Sequence, residues 1–191
     1  MKEIDTSIVD KAIVYATEAH SGIERRGKGF PYIIHPLEAM SIVATITTDP
    51  ELLAAAALHD VIEDTDQTAD DIRAVFGDRI ATLVDAESDA VFENMSPEDS
   101  WHMRKQMGID HLKAASKDVK IVAIGDKLSN MRAMAIDYRE IGDDLWNRFH
   151  VKDKSEHSWR YHALLDSLSE LDGTPAYAEF SSLVEEVFGD K

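Results

Sequence analysis

Apolar residues recur at helical spacing along almost the whole chain, and alternating runs of the kind that build strands are few. Residues from about 6 to 20 read as a first helix, with Ile8, Ala12, Tyr15, Ala16 and Ala19 on one side. A basic loop follows, and His35-Pro36 opens a second helix because proline is tolerated in a first turn. Leu37, Met40, Val43 and Ala44 are its expected buried stripe. A third helix is predicted from roughly Glu51 to Ile62. Thr68 then reads as an N-cap with Asp71 three residues on, starting a short helix that Ile72, Val75 and Phe76 carry to Gly77. Residues from about 78 to 92 resume helix, and Asn94 to Pro97 break it. Helices near 98–116 and 118–137 follow, then a turn centred on Gly142 and an aromatic stretch with Trp146, Phe149 and Trp159. Gly173-Thr174-Pro175 separates the last long helix from a C-terminal one ending near Gly189. The expected fold is all-α, one domain over 1–191 with roughly eight to ten helices.

Composition narrows the function classes. The chain has 191 residues, 44% hydrophobic and 30% charged, the balance of an ordinary soluble globule. Met1-Lys2-Glu3-Ile4-Asp5 turns acidic at once, unlike a signal peptide, and the apolar run near Leu52 to Leu58 is too short to span a bilayer. A cytoplasmic location is therefore expected. There is no cysteine, which excludes disulfides and thiolate metal sites. The formal net charge of −17 argues against nucleic acid as a partner. Basic residues gather in one place, Glu24-Arg25-Arg26-Gly27-Lys28, which is either a solvated loop or a lure for a small anionic ligand. Nothing here fixes the oligomeric state, and homo-oligomerisation stays open.

The candidate chemistry lies in Leu58-His59-Asp60-Val61-Ile62-Glu63-Asp64. Read as helix, this stretch puts Glu63 one turn beyond His59 and Asp64 one turn beyond Asp60. An imidazole beside a carboxylate can bind a metal ion, and the two acids a turn away can serve proton transfer. Two other segments join it. Pro31-Tyr32-Ile33-Ile34-His35-Pro36 places a histidine at the mouth of a helix. Downstream, Gly125-Asp126-Lys127-Leu128-Ser129-Asn130 carries Asp126 and Asn130 on a face apart from the core stripe of Ile124, Leu128, Met131 and Ala135. Asp126 reads either as a helix-start acid or as a fourth ligand. Together His35, His59, Asp60 and Asp126 could form a His₂Asp₂ shell, suited to manganese, iron or another first-row divalent ion. Hydrolysis of a phosphoester or phosphoanhydride is the natural chemistry of such a site.

The order His-Pro, His-Asp with Glu-Asp a turn later, then Asp-Lys-Leu-x-Asn resembles the HD-domain metal-dependent phosphohydrolases. More narrowly, it resembles the hydrolase domain of RelA/SpoT-type proteins and their stand-alone small alarmone hydrolases. The resemblance rests on Ala19-His20, Arg25-Arg26, residues 31–36, residues 57–65, Phe76-Gly77, Leu83-Val84 and residues 125–132. The motif-bearing core is thus about 6–137, and the part from about 140 to 191 is looser. The resemblance implies removal of the 3′-pyrophosphate from guanosine tetra- and pentaphosphate with Mn²⁺. It implies His35, His59, Asp60 and Asp126 as metal ligands, and Glu63 and Asp64 as the acids that orient or deprotonate the attacking water. Asn130 would hold the ribose or phosphate region, and Arg25 and Arg26 the base or phosphates, with Lys28 and Lys127 as further candidates. Tyr32 is expected to pack beneath the loop.

Two other readings remain. The loop between the arginines and Pro31 departs from the family's usual serine-glycine form, which favours a phosphohydrolase for another nucleotide or phosphorylated nucleoside. A non-catalytic nucleotide-binding module would need a vestigial metal site. His20, His102, His111, His150, His157 and His162 lack partners at ligand spacing and read as packed or exposed residues. Trp146, Phe149 and Trp159 read as core or interface aromatics.

Overall fold

A computed structural model describes residues 4–88, 96 and 98–189. Among them the chain is helical, with no strand beyond one isolated antiparallel bridge between Glu24 and Pro31. No helix among the described residues is long and apolar enough to cross a membrane. Contacts group the chain into two compact units, residues 1–88 with 121–129, and residues 89–120 with 130–191.

The first unit is built around α3 (Pro50–Leu58), whose Ala54, Ala55, Ala56, Ala57 and Leu58 are all fully buried. Four consecutive alanines keep this helix thin, so neighbours approach it on several sides. They are α1 (Ser7–Ala19), α2 (Ile34–Val43) and α6 (Asp78–Asp85). Asp49 caps α3 by accepting from the Glu51 amide, Pro50 occupies the first turn, and Arg79 of α6 pairs with both Asp49 and Glu51. Thr68 and Asp71 form the expected capping box on α5 (Ala69–Phe76), and Gly77 ends it at a φ of 87°.

Two expectations are corrected. The third helix does not run through to Ile62: it stops at Leu58 and restarts as the short α4 (Val61–Asp64). His59 and Asp60 keep near-helical backbone angles, but Asp60 flattens to a ψ of −3° and the His59 ring takes the Ala56 carbonyl instead. The Asp64 amide still reaches the Asp60 carbonyl, so the one-turn relation of those two acids survives. The buried stripe of α2 is His35, Pro36, Ala39, Ile42 and Val43, while Leu37 and Met40 are half-buried and Ala44 is exposed. That helix is apolar nearly all round, so periodicity alone offered no contrast to orient it. Helix α6 ends at Asp85, and the rest of the expected 78–92 span, with the break at Asn94 to Pro97, falls largely outside the described residues.

Helix α8 (Lys117–Ile141) contributes its early part, Ile121–Ser129, to the first unit and its later part to the second. The second unit also holds α7 (Trp101–Ala114), α9 (Lys154–Ser167) and α10 (Pro175–Phe188). Its core is an aromatic cluster in which Trp146 stacks on His157 and Phe188. Paired guanidinium–carboxylate contacts, Arg132 with Glu179 and Arg139 with Glu186, join α8 to α10.

Candidate metal centre

All four predicted ligands lie in the first unit. His35 comes from the first turn of α2, His59 and Asp60 from the break between α3 and α4, and Asp126 from α8. The two imidazoles face each other through their Nε2 atoms at 3.3 Å. Asp126 Oδ1 lies 3.1 Å from His35 Nε2 and 3.6 Å from His59 Nε2. Asp60 Oδ2 lies 3.3 and 3.0 Å from the same two nitrogens. His35, His59 and Asp126 each offer one ligand atom, and these lie within 4.8 Å of one another.

The donors fit a divalent cation. Two imidazole nitrogens and an Asp126 oxygen lie within mutual reach, with Asp60 Oδ2 beside both nitrogens, and bonds of about 2.0–2.2 Å to one ion put neighbouring donors roughly 3 Å apart. Both rings have their far nitrogens engaged: His59 Nδ1 is 2.9 Å from the Ala56 carbonyl and His35 Nδ1 is 2.7 Å from Ser129 Oγ. A proton held at Nδ1 leaves Nε2 as the donor toward an ion.

The electrostatics are those of a charged cluster held out of water. Burial would lower the His59 pKa, but Asp60 and Asp126 outweigh it and hold the imidazole well above its ordinary range. Burial would raise Asp60, yet the charge of His59 and hydrogen bonds from both imidazoles bring that carboxyl far below its usual range. Asp126 is likewise driven well below, against its burial, by the Lys127 ammonium and the two imidazoles.

Carboxylates and a phenol surround this core. Tyr32 donates its hydroxyl to Asp60 Oδ2 at 2.7 Å, and burial with the Asp60 charge keeps the phenol protonated far above its usual range. Asp64 also faces that hydroxyl. Glu63 and Asp64 are exposed, in contrast to the buried imidazoles. The His20 ring stacks on Tyr32 at 5.0 Å, while Arg25 places its guanidinium 5.2 Å from the same phenol ring. The Glu24–Pro31 bridge sets that position, since the Arg25 amide donates to the Phe30 carbonyl and Gly29 donates to Glu24. Arg26 is exposed and Lys28 half-buried in the same loop.

Lys127 stands on α8 beside Asp126. Its ammonium bonds Asp126 Oδ2 and Glu87, whose side chain is only 4% exposed. Asn130 follows one turn beyond Asp126 on α8 and is grouped with the second unit. Sequence reasoning missed Glu38, Glu87, Ser129 and the Asp60 contact of Tyr32. The signal for Ser129 was present, three residues after Asp126, but its meaning depends on partners 91 and 94 positions away.

A helical fold with two buried imidazoles facing two carboxylates is that of an all-α domain able to hold a metal ion. The model of the HD domain matches residues 12–149, and the chain belongs to that family. It is similar to a probable guanosine-3′,5′-bis(diphosphate) 3′-pyrophosphohydrolase of Synechocystis, 30% identical over 96% of this chain and 25% of that protein. A guanosine-3′,5′-bis(diphosphate) 3′-pyrophosphohydrolase of Vibrio cholerae is 37% identical over 65% of this chain and 17% of its own. The chain thus spans a quarter or less of the length of these curated relatives. Among solved structures, a metazoan ortholog of SpoT described as hydrolysing ppGpp shares the fold, with a TM-score of 0.77 and 21% identity. That likeness covers 99% of this chain and all of the other. A Listeria monocytogenes protein matches with a TM-score of 0.70 and 28% identity over 85% of this chain and 98% of its own.

Proposed function

We propose that the chain hydrolyses the 3′-pyrophosphate of guanosine tetra- and pentaphosphate, releasing pyrophosphate and GDP or GTP. The observation that carries this reading is the convergence of His35, His59 and Asp126, with the Asp60 carboxylate against both imidazoles. The names of the Synechocystis and Vibrio relatives support the choice of substrate.

These four residues would hold a divalent ion, and a thiolate-free donor set with two carboxylates suits Mn²⁺. When bound, such an ion polarises the phosphoryl group and lowers the pKa of coordinated water. Glu63 and Asp64, exposed just beyond the ligands, orient the attacking water and accept its proton. The water oxygen bonds to the phosphorus next to the ribose, the bond from that phosphorus to the 3′ oxygen breaks, and the 3′ oxygen leaves with a proton. Tyr32 keeps the Asp60 carboxylate turned to the centre. Arg25 and Arg26, with Lys28, supply guanidinium and ammonium groups for the purine face or the phosphates.

The test is guanosine tetraphosphate incubated with purified protein and Mn²⁺ beside an Asp60→Ala control. GDP plus pyrophosphate, absent in the control, supports the reading. No turnover by protein with Mn²⁺ bound overturns the substrate assignment and directs a nucleotide panel at the same centre.

A further inference from the structure

Ser129 is 2% exposed and makes two short contacts in opposite directions. Its hydroxyl donates to Glu38 Oε2 at 2.7 Å, and its oxygen lies 2.7 Å from His35 Nδ1. An ionised carboxylate only accepts, so Glu38 commits the single serine proton to itself. The serine oxygen is then left with lone pairs alone toward the ring, and the proton between them must sit on His35 Nδ1. We infer that Glu38 and Ser129 are positioning residues forming a relay that fixes the tautomer of His35 and keeps its Nε2 available to the metal centre.

The two imidazoles are locked by different means. His59 uses the Ala56 backbone carbonyl, an acceptor that cannot reverse. His35 uses a hydroxyl, which can donate as well as accept. Without Glu38, the serine proton can turn to Nδ1, moving the ring proton to Nε2 and removing it as a ligand. Glu38 therefore supplies the direction that a serine alone lacks. The relay also binds α2 to α8, since His35 and Glu38 stand on one and Ser129 on the other.

This inference rests on the metal reading for its function, but the tautomer itself can be observed without metal. The experiment uses histidine-labelled, metal-free protein, with long-range ¹H–¹⁵N NMR reading the His35 ring and calorimetry reading Mn²⁺ binding. The wild type is expected to show a protected Nδ1–H. Ser129→Ala should lose that signal and bind Mn²⁺ about 10–100-fold more weakly, the usual effect of removing an outer partner of a ligating histidine. Glu38→Ala should lose both in the same direction, and Glu38→Gln, which keeps an acceptor oxygen, should restore them. Wild-type tautomer and affinity in both alanine variants would overturn the relay. Should Ser129→Ala fail to fold, the Glu38→Ala and Glu38→Gln pair decides by itself. A wild type that holds the Nδ1–H but binds no Mn²⁺ would uphold the relay and sink the metal reading alone.

Discussion

Gly125 lies directly against the backbone of Ala39: a methyl group at Gly125 would stand 2.7 Å from the Ala39 carbonyl oxygen and 2.9 Å from Val43 Cγ2. Helices α8 and α2 touch there with no room for a side chain, one position before Asp126. Gly125→Ala should cost about 1–3 kcal/mol of stability, since a backbone carbonyl cannot step aside. It should also weaken Mn²⁺ binding, because the two helices that it parts carry Asp126 and His35. Thermal melts and a Mn²⁺ titration check both, and an unchanged affinity would show that the close approach is not what aligns the ligands.

Tyr32→Phe removes the hydroxyl that donates to Asp60 Oδ2. The ring still stacks on His20, so the fold should persist with a loss of about 1 kcal/mol. Mn²⁺ affinity should fall by roughly tenfold. A variant with wild-type affinity and lower turnover would instead place the phenol in the chemical step.

Glu63→Gln and His59→Ala separate proton transfer from metal binding. The first should lower turnover by about 10²–10⁴-fold with Mn²⁺ affinity nearly kept. The second should lose both. Equal loss of Mn²⁺ in the two variants would reassign Glu63 to the ligand shell.

Lys127→Met should act on stability, not only on catalysis. It strands the Glu87 carboxylate, nearly buried, and leaves Asp126 without its ammonium. Removing one partner of such a pair costs about 3–5 kcal/mol. Urea denaturation measures this, and adding Glu87→Gln should recover part of the loss. Stability equal to wild type with poorer substrate binding would return Lys127 to the substrate.

His157 gives a pH dependence in the second unit. Burial among aromatic rings pushes its pKa below the ordinary value, its Nε2–H donates to the Val151 carbonyl, and its buried Nδ1 has no hydrogen-bond partner. Arg160 opposes its charging, while Asp153 and Glu156 favour it less strongly. Above about pH 7.5 the ring is neutral in both folded and unfolded chains, and no cost arises. As pH falls below that value the unfolded chain takes up a proton the folded ring resists, so stability drops. His157→Gln should flatten the decline between pH 7.5 and 5.5 in urea denaturation relative to wild type. Parallel curves would show that the cluster titrates freely.

Much of this was legible in the chain. Helical periodicity is local and therefore legible for most elements, though not for the break after Leu58 or the face of α2, and Ile124, Leu128, Met131 and Ala135 are buried as their spacing predicts. The four expected ligands stood out by residue type and neighbours, and the structure sets Asp60 and Asp126 against the facing imidazoles of His35 and His59. What escaped depends on partners distant in sequence. The stop at Leu58 coincides with a contact of the His59 ring to the Ala56 carbonyl, which no propensity scale contains. Lys127 reads as a substrate cation beside Asp126, and its pairing with Glu87 depends on a partner 40 positions away. Tyr32 does lie under the Arg25 side of the loop, but its hydroxyl finds Asp60 only in three dimensions.

The first unit is discontinuous: residues 1–88 are completed by 121–129. During synthesis, therefore, His35, His59 and Asp60 leave the ribosome long before the segment that brings Asp126, Lys127 and Ser129. Until then the nascent chain lacks the Asp126 carboxylate and the Ser129 hydroxyl beside His35, and the Glu87 carboxylate lacks its Lys127 partner. The proposed centre is thus complete only once the early part of α8 joins the first unit, while α9 and α10 still follow in the chain.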